Sequence, residues 1–235
     1  MALRELQDAI GYYLLRKSSD FFIIPLKKEV DLQDLYSLHS YENYDDYVNV
    51  QKIKTKRRLD YFKSSRESIL WTTPNSLRDI SILIKTILRK EIYSGVCMGS
   101  RSGEEMLHFK AFLGGDSKVI GVEITETAKT LPNTIISDFH KLPNHLEETF
   151  DFVYSNSHDQ SNSPKVAFQE WIKVLKPEGL LILEHSRSHG KRFSGRQDPF
   201  GVETEVLPFL IMNWFTQQLI LYGIFFAYRV FQQFA

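Results

Sequence analysis

Apolar positions along the chain keep two rhythms, one of period 3.6 and one of short unbroken runs. Leu3, Leu6, Ile10, Tyr13 and Leu14 recur at helical spacing and predict an amphipathic opening helix. An acidic stretch follows (Glu29, Asp31, Asp34, Glu42, Asp45, Asp46), then a basic one (Lys52, Lys54, Lys56, Arg57, Arg58, Lys63, Arg66). These read as two solvated helix faces, or as a lid whose cations receive an anionic acceptor. Residues 1–70 are therefore expected to form a helical extension, and 71–235 the main domain. From Thr72 onward helix and strand alternate. Thr73 caps a helix with Pro74 at its first position, and Leu77, Ile80, Ile84, Ile87 and Leu88 mark its buried face. Short apolar runs predict strands at 93–98, 119–122, 134–136, 150–154 and 180–183. Between them lie a helix over 104–113 and another from Pro164, with Val166, Trp171, Val174 and Leu175 inward and a turn at 176–179. This alternation predicts an α/β fold, a doubly wound parallel sheet covered on both faces.

Composition narrows the setting. The 235 residues include 43% hydrophobic and 13% aromatic positions, enough for a sizeable core and against a disordered chain. Lys plus Arg and Asp plus Glu both number 29, so the formal charge is zero. Nucleic acid is thereby disfavoured as a partner, because such binders carry a basic excess. The single cysteine, Cys97, excludes an intramolecular disulfide and a multi-cysteine zinc site, and a cytoplasmic setting is expected. Residues 206–228 are uncharged but interrupted by Pro208, Asn213, Gln217, Gln218 and Gly223. They predict a helix and two buried strands rather than a membrane span.

In open parallel sheets, ligands bind beyond the carboxyl ends of the strands. After the first strand comes the loop Cys97-Met98-Gly99-Ser100-Arg101-Ser102-Gly103, where glycines let backbone approach a ligand and a helix start offers unpaired amides. Glu123 follows the second strand, placed to take both hydroxyls of a ribose. Asp138-Phe139 follows the third, a carboxylate for an adenine amino group beside a flat aromatic wall.

In this order the residues resemble the class I S-adenosylmethionine-dependent methyltransferases, over about 92–183. The matching elements are Gly99 to Gly103, Val119-Ile120-Gly121-Val122-Glu123, Ser137-Asp138-Phe139, the strand from Phe150 to Ser155, and the run Trp-Ile-Lys-Val-Leu-Lys-Pro-Glu-Gly-Leu-Leu-Ile-Leu at 171–183. The resemblance implies a Rossmann-like sheet of about seven strands whose last hairpin is antiparallel, supplied by 219–231. It implies S-adenosyl-L-methionine as cofactor, held by Gly99, Ser100, Arg101, Gly103, Glu123, Ile124, Asp138, Phe139, Ser155 and Asn156. Two positions depart from the family pattern. Cys97 stands where an acidic residue usually helps to hold the methionine part of the cofactor, and Arg101 replaces a middle glycine. Arg101 or a backbone carbonyl would take over that end.

Methyl transfer from a sulfonium needs alignment and a proton acceptor. The fourth strand runs into Ser155-Asn156-Ser157-His158-Asp159-Gln160, and the fifth into Glu184-His185-Ser186-Arg187-Ser188-His189. The two loops are expected to converge over one cleft, with His158, His185 and Asp159 as the catalytic candidates and His189 beside them. No metal is required by this reading. His39, His108, His140 and His145 are expected to be structural or at the surface. The expected acceptor is a hydroxylated small molecule, anionic or sugar-like, with O-methylation as the reaction and the 190–196 loop meeting an anionic group. The alternatives are a methyltransferase-fold scaffold without turnover and, less compatible with the glycine spacing, a nicotinamide-dependent dehydrogenase.

Overall fold

The computed structural model describes residues 8–16, 33–65 and 71–228, with side chains over 34–61 and 71–223. In chain order the elements are β1 (Asp8–Arg16), β2 (Tyr36–Leu38), α1 (Tyr44–Ser65), α2 (Pro74–Leu88), β3 (Ser94–Met98), α3 (Glu104–Leu113), β4 (Lys118–Glu123), β5 (Thr134–Ile136), β6 (Phe150–Ser155), α4 (Pro164–Val174), β7 (Leu175–Ser186), β8 (Phe200–Val202), α5 (Leu207–Trp214) and β9 (Leu219–Tyr228). They build a seven-stranded sheet of order β5-β4-β3-β6-β7-β1-β9, and β2 pairs with β8 in a small second sheet.

Alternation along each central strand explains the two covered faces. In β7, Leu181 and Leu183 join one core with Phe168 and Trp171 of α4 and Leu210 of α5. Leu180 and Ile182 join the other, against Leu77 and Ile80 of α2 and Phe109 of α3. A period of two with both faces apolar is the mark of a buried parallel sheet. Cys97 points into the second core, where burial pushes its thiol up, so it serves there as a small hydrophobe. α2 begins as expected, with Thr73 Oγ1 accepting the Ser76 N–H at 3.0 Å.

Five expectations are corrected. Residues 8–16 form a strand, not the opening helix, while Leu3 and Leu6 lie outside the described residues. β1 lies antiparallel to β7, from Ala9 opposite Ser186 to Leu15 opposite Leu180, and antiparallel to β9, from Asp8 opposite Tyr228 to Arg16 opposite Leu219. Two ladders outweigh the helical spacing, because they satisfy the backbone on both sides. The antiparallel end of the sheet is therefore made by the first and last strands of the chain, not by a hairpin within 219–231, whose last three residues lie outside the described part. The acidic and basic stretches meet in one helix, with Asp45 and Asp46 in the first turn of α1 and Lys52 to Arg58 further along it. Val166 is 49% exposed, on the outer side of α4. Residues 176–179 are taken into β7 as an irregularity, the register moving from Phe150 opposite Leu175 to Phe152 opposite Leu180. Among the described residues no helix is long and apolar enough to cross a membrane.

Candidate functional site

Four parallel strands, β3 to β6, end at the same edge of the sheet. At the end of β3 the chain turns over β4: the Gly99 and Ser100 N–H groups both donate to Val122 O, at 2.9 and 3.1 Å. Gly99 has φ +75°, and a Cβ there would lie 2.8 Å from Ser157 Cβ. The loop thus needs glycine for its conformation and for the approach of β6. Arg101 also has positive φ, 43°.

Glu123 ends β4. Its Oε2 accepts the Arg101 N–H at 2.9 Å, and its Oε1 accepts the N–H groups of Ile124 and Thr125 and the Thr125 hydroxyl at 3.0 to 3.2 Å. Oε2 accepts this one donor and has room for another. Asp138 follows β5. Its Oδ1 accepts the His140 backbone N–H at 2.8 Å and sits 2.6 Å from His140 Nδ1. His140 is buried and continues to Ser161 Oγ at 2.7 Å, so it fixes the carboxylate. Asp138 Oδ2 is buried with no hydrogen-bond partner. Phe139 stands edge-on to Trp171, which donates Nε1–H to Phe139 O at 3.1 Å.

These groups line one cavity of about 420 Å³, closed on the far side by Tyr47, Gln51 and Thr55 of α1. Of the residues expected to hold a cofactor, Gly99, Arg101, Glu123, Ile124, Asp138 and Phe139 are in its wall. Gly103 is the residue before α3, with φ +78°. Ser100 packs behind, where a Cβ on Gly121 would meet its Oγ at 2.3 Å. Ser155 Oγ donates to Met98 O at 3.2 Å, tying β6 to β3 rather than facing the cavity. Asn156 belongs to a neighbouring cleft.

That second cleft, about 660 Å³, adjoins the first across Arg101 and Gln160, which line both. Arg58 and Trp71 form one side, the guanidinium carbon 5.4 Å from the indole centre. Asn156, Asp159, His189, Phe193 and Asp198 form the rest. The loops after β6 and β7 do converge. Asp159 and His189 reach the cleft wall, whereas His158 and His185 stand behind it, each 1% exposed. His185 Nε2 faces Val202 O at 3.1 Å and so carries the proton. Its Nδ1 is then the acceptor for His158 Nε2–H, 2.8 Å away. Burial, and then the neighbouring imidazoles, hold both rings well below the usual imidazole range, so both are neutral.

Asp159 has its carboxyl raised, first by burial and further by Asp198. Asp198 is held low despite burial by Lys54, which bonds it. Lys54 is itself 3% exposed and comes from α1. Tyr47, Gln51 and Thr55 of α1 line the first cavity and Arg58 the second; of these only Arg58 fell in the basic stretch read as possible lid cations. Their spacing along one helix face is the signal that could have found them. Trp71 carries no such signal, since only the fold brings it to the cleft.

Residues 96–183 match the model of a family described as a methyltransferase domain. Among solved structures, the chain is similar to the Burkholderia thailandensis 1,6-didemethyltoxoflavin-N1-methyltransferase, crystallised with 1,6-didemethyltoxoflavin and S-adenosylhomocysteine. The identity is 14%, over 80% of this chain and 86% of that one, with a TM-score of 0.51. An S-adenosylmethionine-dependent methyltransferase from Aquifex aeolicus is 17% identical over 60% of this chain and 87% of its own, TM-score 0.42. The [4+2]-cyclase SpnF is 18% identical, TM-score 0.35, and the matched part spans only 43% of its length and 44% of this chain. Among curated proteins, no sequence matches the chain. The fold is therefore that of the Burkholderia enzyme, a parallel sheet with an antiparallel edge. Within it, residues 96–183 are the part similar to a methyltransferase domain.

Proposed function

We propose that the chain transfers the methyl group of S-adenosylmethionine to an oxygen of a small hydroxylated acceptor that carries an anionic group. The observation that carries the cofactor part is Asp138 Oδ2, a buried acceptor without a partner in the wall of a cavity shared with Glu123 and Phe139. An orphaned carboxylate oxygen is costly unless a ligand donor meets it, as an adenine amino group would. Glu123 Oε2, with room for another donor, receives a ribose hydroxyl, and Phe139 flanks the base. S-adenosylmethionine supplies an activated methyl group there.

The acceptor side rests on the adjoining cleft. Arg58 and Arg101 offer guanidinium donors to an anion, and Trp71 and Phe193 offer apolar faces. Asp159 Oδ1, buried and without a partner, takes the proton of the attacking hydroxyl. His189 Nε2, 3.6 Å from Asp159 Oδ2, stabilises the carboxylate across that gap. With S-adenosylmethionine bound, its sulfonium would offer the methyl carbon to the hydroxyl oxygen, the thioether leaving with the sulfur–carbon electron pair.

A second reading, a scaffold without turnover, draws on Cys97 and on the backbone amides that occupy Glu123. Titration calorimetry separates the two. Micromolar binding of S-adenosylmethionine and S-adenosylhomocysteine but not NAD, lost in Glu123→Ala, supports the enzyme. A folded protein that binds neither leaves the scaffold reading in place.

A further inference from the structure

We propose that His158, His185 and His189 form a site for one divalent cation of the zinc type, set in the inner wall of the acceptor cleft. One ligand atom from each ring lies within 4.8 Å of the others, and all three side chains are buried. The ring centres are 5.0 to 5.4 Å apart. The hydrogen bonds of the protein alone leave this group unfinished. Asp159 Oδ1, next in the chain to His158, is buried without a partner. His189 Nε2 reaches Asp159 Oδ2 only at 3.6 Å, too far for a hydrogen bond. Buried imidazoles and carboxylates in such a state call for a ligand.

His185 is already held as a metal-binding ring is held. Its Nε2–H is committed to Val202 O, which orients Nδ1 towards the other two rings. A cation between them replaces the proton that His158 and His185 now share. His189 must exchange the 3.2 Å bond its Nδ1 accepts from the Ser186 N–H for a proton of its own, so loading shifts the turn Arg187–His189. Three imidazole nitrogens with one nearby carboxylate select zinc, cobalt or ferrous iron over magnesium or calcium, which prefer all-oxygen sites. Since His189 and Asp159 line the cleft, an open position on the cation faces the acceptor. That use of the cation rests on the methyltransferase reading; its binding does not.

The test is titration of the chelator-treated full chain with Co2+ followed by Zn2+, read by visible absorption and by bound metal per chain. We expect one equivalent of Co2+ with d–d bands, displaced by Zn2+ and not by Mg2+. In His158→Ala and His189→Ala, checked for folding by circular dichroism, affinity should fall by about 100-fold. His189 is the decisive position, being at the cleft wall, and His145→Ala, an exposed site, should bind as the parent does. Absence of the bands in the folded chain overturns the proposal, as does a spectrum that survives in His189→Ala. S-adenosylhomocysteine binding on the same samples separates the two readings. Cofactor without metal defeats only the cation site, and metal without cofactor defeats only the cofactor assignment.

Discussion

Glu105, in the first turn of α3, is a carboxylate that the fold has made reluctant to ionise. Burial pushes it up to about 7, against the pull of its own backbone N–H, of Arg101 and of Asn156. Because the folded value lies above the unfolded one, the folded chain binds more protons between roughly pH 4.5 and 7. The stability this group contributes is complete below the unfolded value and declines as pH rises through 7. Denaturant titrations should show about 3 kcal/mol less stability at pH 8 than at pH 4.5 from this source, and Glu105→Gln should flatten that slope. An unchanged slope in the variant would refute the assignment. At Asp159, replacement by Asn keeps the shape but cannot take a proton. We expect turnover to drop by about 100-fold or more while S-adenosylhomocysteine affinity stays as it was. Gly99→Ala meets both a left-handed backbone and Ser157, so it should lower thermal stability and cofactor affinity together.

At the scale of elements, the decisive piece is α1, a helix from outside the matched segment 96–183 that lines both cavities. It is fastened to the segment before β8 by polar bonds. Tyr41 donates to Arg196 O at 2.6 Å, Gln51 and Lys54 donate to Gln197 O, and Arg196 pairs with Asp46. Beside these bonds one large ring, Tyr47, is buried edge-on to His140, so the cover rests on few contacts and can open locally. Amide hydrogen exchange over Tyr44–Ser65 should slow when S-adenosylhomocysteine binds, and equal rates with and without it would remove the lid role. This is also where legibility ended. Glu123 and Asp138 could be read because each follows a strand, and an open parallel sheet fixes what lies beyond its strand ends. Lys54 and Arg58 fall in a run that reads as a solvated face or as a lid, because a helix face is polar on paper whether it meets water or a partner. His158 and His185 were placed in the right loops. Depth separates them from Asp159 and His189, and depth depends on packing that no local spacing encodes.

On the scale of the whole molecule, β1 holds the sheet together between β7 and β9. Removing residues 1–16 would leave β7 with one open ladder and β9 with no partner in the sheet. We expect that deletion to aggregate or to lose its single cooperative unfolding transition in circular dichroism. A permutant that starts within 17–32 and carries 1–16 after residue 235 should instead fold and bind S-adenosylhomocysteine normally, since Asp8 lies opposite Tyr228. The pairing also imposes an order in time. A ribosome releases Asp8–Arg16 long before Leu175–Ser186 exists to receive it, and Leu219–Tyr228 follows later still. In that interval the nascent chain carries an apolar strand without its sheet partners, a state exposed to aggregation.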